Sequence, residues 1–158
     1  MSHKAAVFIV DALESHSKPY EIRHLEFAGI NLGELGIRRI CELLCTNPHL
    51  KLVVIGTVSD PALKIIAESI PSFVGVQTLS FEYPVEKKWS KENMNAFIEA
   101  FKENEVLMDV KVEGENAKGF VKELQFHAQH NRKKAELSKY LDLTQKMGST
   151  EKIFECVT

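Results

Sequence analysis

Apolar residues stand at the first, fourth and sixth positions of Ile22-Arg23-His24-Leu25-Glu26-Phe27, and the same arrangement returns three times. It recurs at Leu50-Lys51-Leu52-Val53-Val54-Ile55, at Val76-Gln77-Thr78-Leu79-Ser80-Phe81 and at Leu107-Met108-Asp109-Val110-Lys111-Val112. The last residues of these segments, Phe27, Ile55, Phe81 and Val112, are 28, 26 and 31 positions apart. Polar and apolar residues alternate from His24 to Phe27, which reads as a strand with one buried face. A recurrence of this length marks a repeat architecture.

Helical spacing fills the intervals. Residues 3–16 predict a helix that Ser2 can cap, with Ala6, Ile9, Val10 and Leu13 on one face. Gly29 and Gly33 bracket a turn before a second helix over 34–46, with Leu35, Ile40, Cys41 and Leu44 inward and Asn47-Pro48 ending it. Ser59-Asp60-Pro61 is a helix start, with capping oxygens ahead of a proline at the first turn. The helix 61–70 that follows turns Leu63, Ile66, Ala67 and Ile70 inward and is closed by Pro71. After an excursion over 82–89, Ser90 caps a helix over 91–103 that buries Met94, Phe97, Ile98 and Phe101. The last strand is 108–112, and a helical cap runs from 116 to about 141. Residues 142–158 lack a sustained period and are expected to form a flexible tail.

Strands alternating with helices give parallel strands with helical crossovers. A doubly wound sheet is the rival. Each helix here follows its strand at one offset, and no glycine-rich phosphate turn follows any strand, so the helices are expected on one face only. The expected fold is an α/β solenoid over residues 1–141, with helix 3–16, repeats beginning near 21, 49 and 75, the strand 108–112 and the cap 116–141. The first helix reads either as a cap or as the second half of a further repeat.

The segment Leu25-Glu26-Phe27-Ala28-Gly29-Ile30-Asn31-Leu32, with Gly36, Ile40 and Leu44 behind it, resembles a leucine-rich repeat of the long, ribonuclease-inhibitor-like class. The resemblance spans residues 1 to about 141. It implies a strand, a turn and a full helix in each unit of about 28 residues. That family places an asparagine at the turn after the strand; here the positions hold Ile30, Val58, Pro84 and Glu115, so the repeats are degenerate. Short arrays of this kind are also similar to the tropomodulin C-terminal domain and to repeat modules of bacterial effectors.

Composition changes the picture little. The chain of 158 residues is 44% hydrophobic and 27% charged, with a net charge of −2. It matches an ordinary globular domain, without the global basicity of a nucleic-acid binder. Three cysteines, Cys41, Cys45 and Cys156, make no disulfide framework and point to a reducing, cytoplasmic setting. The apolar run Ala5–Val10 is too short to span a membrane.

Candidate chemistry is sparse. His127 and His130 share a helix face but are two ligands where a metal site needs more, so no metal or other cofactor is expected. Cys41 reads as a small buried hydrophobe rather than a reactive thiol. Arg132-Lys133-Lys134, with Lys122 and Lys139, reads as a solvated face. No serine sits in a Gly-x-Ser-x-Gly elbow, and no catalytic residues or small-molecule substrate are indicated. The expected function is therefore non-catalytic binding of a protein partner. The alternatives are an enzyme of unknown type, or a weak nucleic-acid or acidic-lipid binder acting through the basic helix.

The strand face opposite the helices is the expected docking surface: His24 and Glu26, Leu52 and Val54, Thr78 and Ser80, Asp109 and Lys111. Leu52 and Val54 are apolar where a solvated face calls for polar residues, and Glu26, Glu82, Asp109 and Glu113 are acidic nearby. Trp89, the single tryptophan, lies in the charged stretch Tyr83–Trp89 and is either a partner anchor or a plug against the helices.

Overall fold

A computed structural model describes residues 3–15 and 22–155, with the side chains of 147–155 and a few others left out. Among the described residues five α-helices and four strands alternate: α1 (His3–Glu14), β1 (His24–Phe27), α2 (Gly33–Thr46), β2 (Leu52–Thr57), α3 (Asp60–Ser69), β3 (Thr78–Glu82), α4 (Lys91–Glu103), β4 (Asp109–Glu113) and α5 (Lys118–Glu155). The strands form one parallel sheet in the order β1-β2-β3-β4, and each helix packs on the next in sequence. Phe27, Val53, Ile55, Leu79, Phe81 and Val110 turn towards the helices into a single core. This is a mixed α/β fold of the leucine-rich-repeat type.

The local signals explain most boundaries. Gly29 and Gly33 both take positive φ, at 69° and 61°, which is where a residue without Cβ is favoured. Ser59 Oγ accepts from the Ala62 N–H and Ser90 Oγ from the Asn93 N–H, so both expected caps are made. Ser2 lies outside the described residues. A short 3-10 turn, Ile70–Ser72, follows α3 where Pro71 cannot continue it.

Three expectations change. Leu35 faces outward on α2, because the buried positions are Gly36, Ile37, Ile40, Cys41, Leu43 and Leu44 and Leu35 falls on the opposite side. On α1, Val10 is fully buried and Leu13 partly, whereas Ile9 is exposed. The last helix does not stop near 141 but continues to Glu155, so 142–155 is helical; residues 156–158 lie outside the described part. The described side chains of that helical stretch, 142–146, are all exposed, so no burial imposes a period on them.

Asparagines order the turns that lead into β2 and β4. Asn47 Oδ1 accepts from the His49 and Leu50 N–H groups, and Asn104 Oδ1 accepts from Val106 and Leu107 in the same way. Asn104 also donates to Ile70 O at 2.6 Å, in the preceding repeat. Asn131 on α5 donates to Phe101 O and Leu107 O, both at 3.2 Å. Backbones approach closely here too: a Cβ on Gly75 would lie 2.6 Å from the carbonyl of Pro48.

Candidate functional site

The parallel register assembles the expected columns. His24, Leu52, Thr78 and Asp109 lie side by side across the four strands, and so do Glu26, Val54, Ser80 and Lys111. Val54 thus sits between Glu26 and Ser80, about 4.8 Å from each strand. Strand alternation turns these residues away from the helices.

Burial across the face is graded. His24, Glu26 and Lys111 are exposed, Leu52, Val54, Thr78 and Asp109 are partly covered, and Ser80 is only 8% exposed. Leu52 and Val54 take no part in the core cluster. At the edges, His24 Nε2 lies 3.6 Å from Glu26 Oε2, and Arg132 of α5 reaches Asp109 at 3.0 Å. Beyond the columns, where β2 and β3 shift register, Thr57 Oγ1 donates to Glu82 at 3.0 Å. Glu82 and Glu113 are direct cross-strand neighbours. Like charges so placed repel. The face therefore has an apolar centre at Leu52 and Val54 with an acidic border at the C-terminal strand ends.

Trp89 does not belong to this face. Only 4% of its surface is exposed, its Nε1 donates to Val58 O at 2.8 Å, and its ring packs on Phe81, Tyr83 and Phe120. An indole that finds its hydrogen-bond partner inside the protein is a plug, and the expectation of a partner contact at Trp89 is withdrawn. The clamp around it continues at Asp60, whose Oδ1 accepts from Ser90 N at 2.7 Å. Partial burial opposes ionisation of Asp60, but hydrogen bonds from Ser90 and Asn93 outweigh it and hold the carboxyl below its usual range.

The other candidates stay apart. Burial pushes the Cys41 thiol up to about 12, far from the electropositive, part-exposed setting a reactive cysteine needs. Cys45 is partly buried and its thiol is raised as well, first by burial and then by Glu42. Cys156 lies outside the described residues. His127 is held below its ordinary value by burial and by Lys102, and the described residues contain no group of three or more metal-binding side chains. Within the basic run, Arg132 is engaged by Asp109 and Lys134 by Glu105. Among the described residues no helix is long and apolar enough to cross a membrane.

No protein-family model matches the chain, and no curated protein matches it in sequence. Solved structures do. The fold is similar to that of leiomodin-1 actin-binding site 2, with a TM-score of 0.72, 15% identity, and coverage of 92% of this chain and 83% of that one. The tropomodulin C-terminal domain of Caenorhabditis elegans aligns at a TM-score of 0.46 and 13% identity, over 87% of this chain and 98% of that one. The first likeness supports a leucine-rich-repeat-like fold, without singling out the ribonuclease-inhibitor class.

Proposed function

We propose that this protein is a non-catalytic interaction module that binds a protein partner on its open strand face. One observation carries the reading: Leu52 and Val54 point away from the helices, outside the core, in register with polar residues on both sides. Apolar side chains in that position gain free energy only when another surface covers them. The structural neighbour with the higher score is described as an actin-binding site, so actin is the first partner to assay.

The test is Val54→Arg. The residue lies off the core, so folding is expected to persist by circular dichroism and thermal denaturation. Binding is expected to fall at least about 100-fold, because an unpaired charge would sit in a desolvated contact. Co-sedimentation with filamentous actin and gel filtration with monomeric actin provide the first readout. If wild type binds neither form, actin is removed, and the same variant is applied to partners captured from cytosol. Unfolding of Val54→Arg, or equal binding by variant and wild type, would sink the strand-face reading.

A further inference from the structure

Charge on the strand face is one-sided. Around the apolar pair Leu52 and Val54 stand the carboxylates Glu26, Glu82, Asp109 and Glu113 and one lysine, Lys111. Arg132 engages Asp109, which leaves three carboxylates against Lys111, a net of −2. Glu82 and Glu113 are in register on adjacent strands, about 4.8 Å apart. Glu82 accepts from the Thr57 hydroxyl, and among the described residues neither carboxylate forms an ion pair. Two like charges so placed repel, and a cation set between them relieves both.

Between that pair and the apolar centre lies Ser80. It is small, stands between Val54 and Lys111, and is only 8% exposed. Its hydroxyl makes no hydrogen bond among the described residues, while no fully buried side-chain oxygen there lacks a partner, so the Ser80 oxygen stays open to the face. A hydroxyl this deeply set takes its hydrogen bond from whatever covers it. Nucleic acid or an anionic lipid surface would meet the carboxylates with like charge.

We propose that the partner docks here through a basic segment. An aliphatic side chain lies on Leu52 and Val54, a lysine or arginine sits between Glu82 and Glu113, and the segment's backbone meets the Ser80 hydroxyl. The inference rests on the strand-face reading above. The midpoint of the carboxylate pair is one and a half strands from β2 and two residues along from the row of Val54, about 10 Å away. Three residues of an extended segment, or two turns of a helix, span that distance.

The test uses the full chain and random peptides of about 12 residues displayed on phage, ample to span that distance. Peptides selected on the immobilised protein are expected to pair Val, Ile or Leu with Lys or Arg. Labelled copies are then measured by fluorescence anisotropy against wild type, Val54→Arg, and Glu82→Gln with Glu113→Gln. Glutamine keeps the shape of glutamate and removes the repulsion, so folding should persist by circular dichroism. The two glutamines should weaken binding about 10-fold, and so should replacing the peptide's cation by glutamine. Made together, the changes should cost no more than either alone, because both remove one contact. Selected peptides without a surplus of Lys and Arg, additive losses, or no selected peptide at all would each overturn the proposal. If peptides lacking that surplus still lose binding to Val54→Arg, the strand face stands and only the basic partner falls. Peptides indifferent to Val54→Arg would overturn both.

Discussion

Replacing Trp89 decides whether the stretch from Tyr83 to Trp89 is anchored or free. The indole is almost wholly buried, touches three aromatic rings, and its N–H satisfies the carbonyl of Val58, 31 residues away. Truncation to alanine loses that apolar burial and leaves a cavity, a cost of about 3–5 kcal/mol for a large aromatic. Trp89→Phe retains much of the packing but leaves the Val58 carbonyl without its donor, which costs about 1–3 kcal/mol. In a domain of this size each kcal/mol lowers the melting temperature by about 2–4 °C. The alanine variant is therefore expected to melt about 6–20 °C below wild type, with the phenylalanine variant between them. Far-UV circular dichroism in urea measures both. Because the chain has one tryptophan, wild-type fluorescence reports the same site, and a blue-shifted native spectrum is expected. A Trp89→Ala midpoint within about 0.5 kcal/mol of wild type would refute the plug and return the residue to the list of partner anchors.

Other substitutions probe separate parts of the fold. Leu79→Ala removes a fully buried strand residue and is expected to cost about 2–5 kcal/mol, against almost nothing for the exposed Glu86→Ala; equal denaturation midpoints would reject the assignment of strand and loop. Gly75→Ala drives a Cβ into the Pro48 backbone and should cost about 1–3 kcal/mol; a variant as stable as wild type would show that the backbones separate freely. Since the folded state holds the Asp60 carboxyl below its usual range, its contribution is complete above the unfolded value near 4 and is lost as pH falls through the folded one. The stability gap between wild type and Asp60→Ala should therefore narrow below about pH 4, and a gap that widens there contradicts the clamp. Cys41, raised to about 12 by burial, should resist iodoacetamide in the folded protein at pH 8; peptide mapping that finds it labelled as fast as in urea would contradict the burial.

The sequence was most legible where geometry repeats. Alternation at Leu25, Val53, Leu79 and Val110 identifies each strand, and the common period places Val54 beside Glu26 and Ser80 before any coordinate is known. Ser59 and Ser90 announce their helices because capping is a local bond over three residues. Contacts that join distant residues leave no such trace. Trp89 meets Val58 across 31 positions and Asn104 meets Ile70 across 34, so the sequence leaves Trp89 open between anchor and plug and does not announce the asparagine ties. The one available signal was the shared pattern of Asn47 and Asn104, each three residues before a buried leucine. Leu35 was misplaced because an apolar residue at a helix start can face either way. The length of α5 leaves no trace in the pattern because, from Arg132 to Lys146, every side chain but Ala135 is exposed.

The asparagine ties couple the later repeats to one another. In a linear stack, the equilibrium depends on the stability of each unit and on its coupling to the next. Asn104 belongs to one unit by chain and to its neighbour by its bond to Ile70, and Asn131 binds carbonyls on both sides of the turn before β4. When one unit opens, a carbonyl in the adjoining unit loses its donor, so each unfolding event makes the next easier. The stretch from β2 to β4 should accordingly open together rather than fray repeat by repeat. Amides of β2 and β4 would then exchange with deuterium at the same limiting rate.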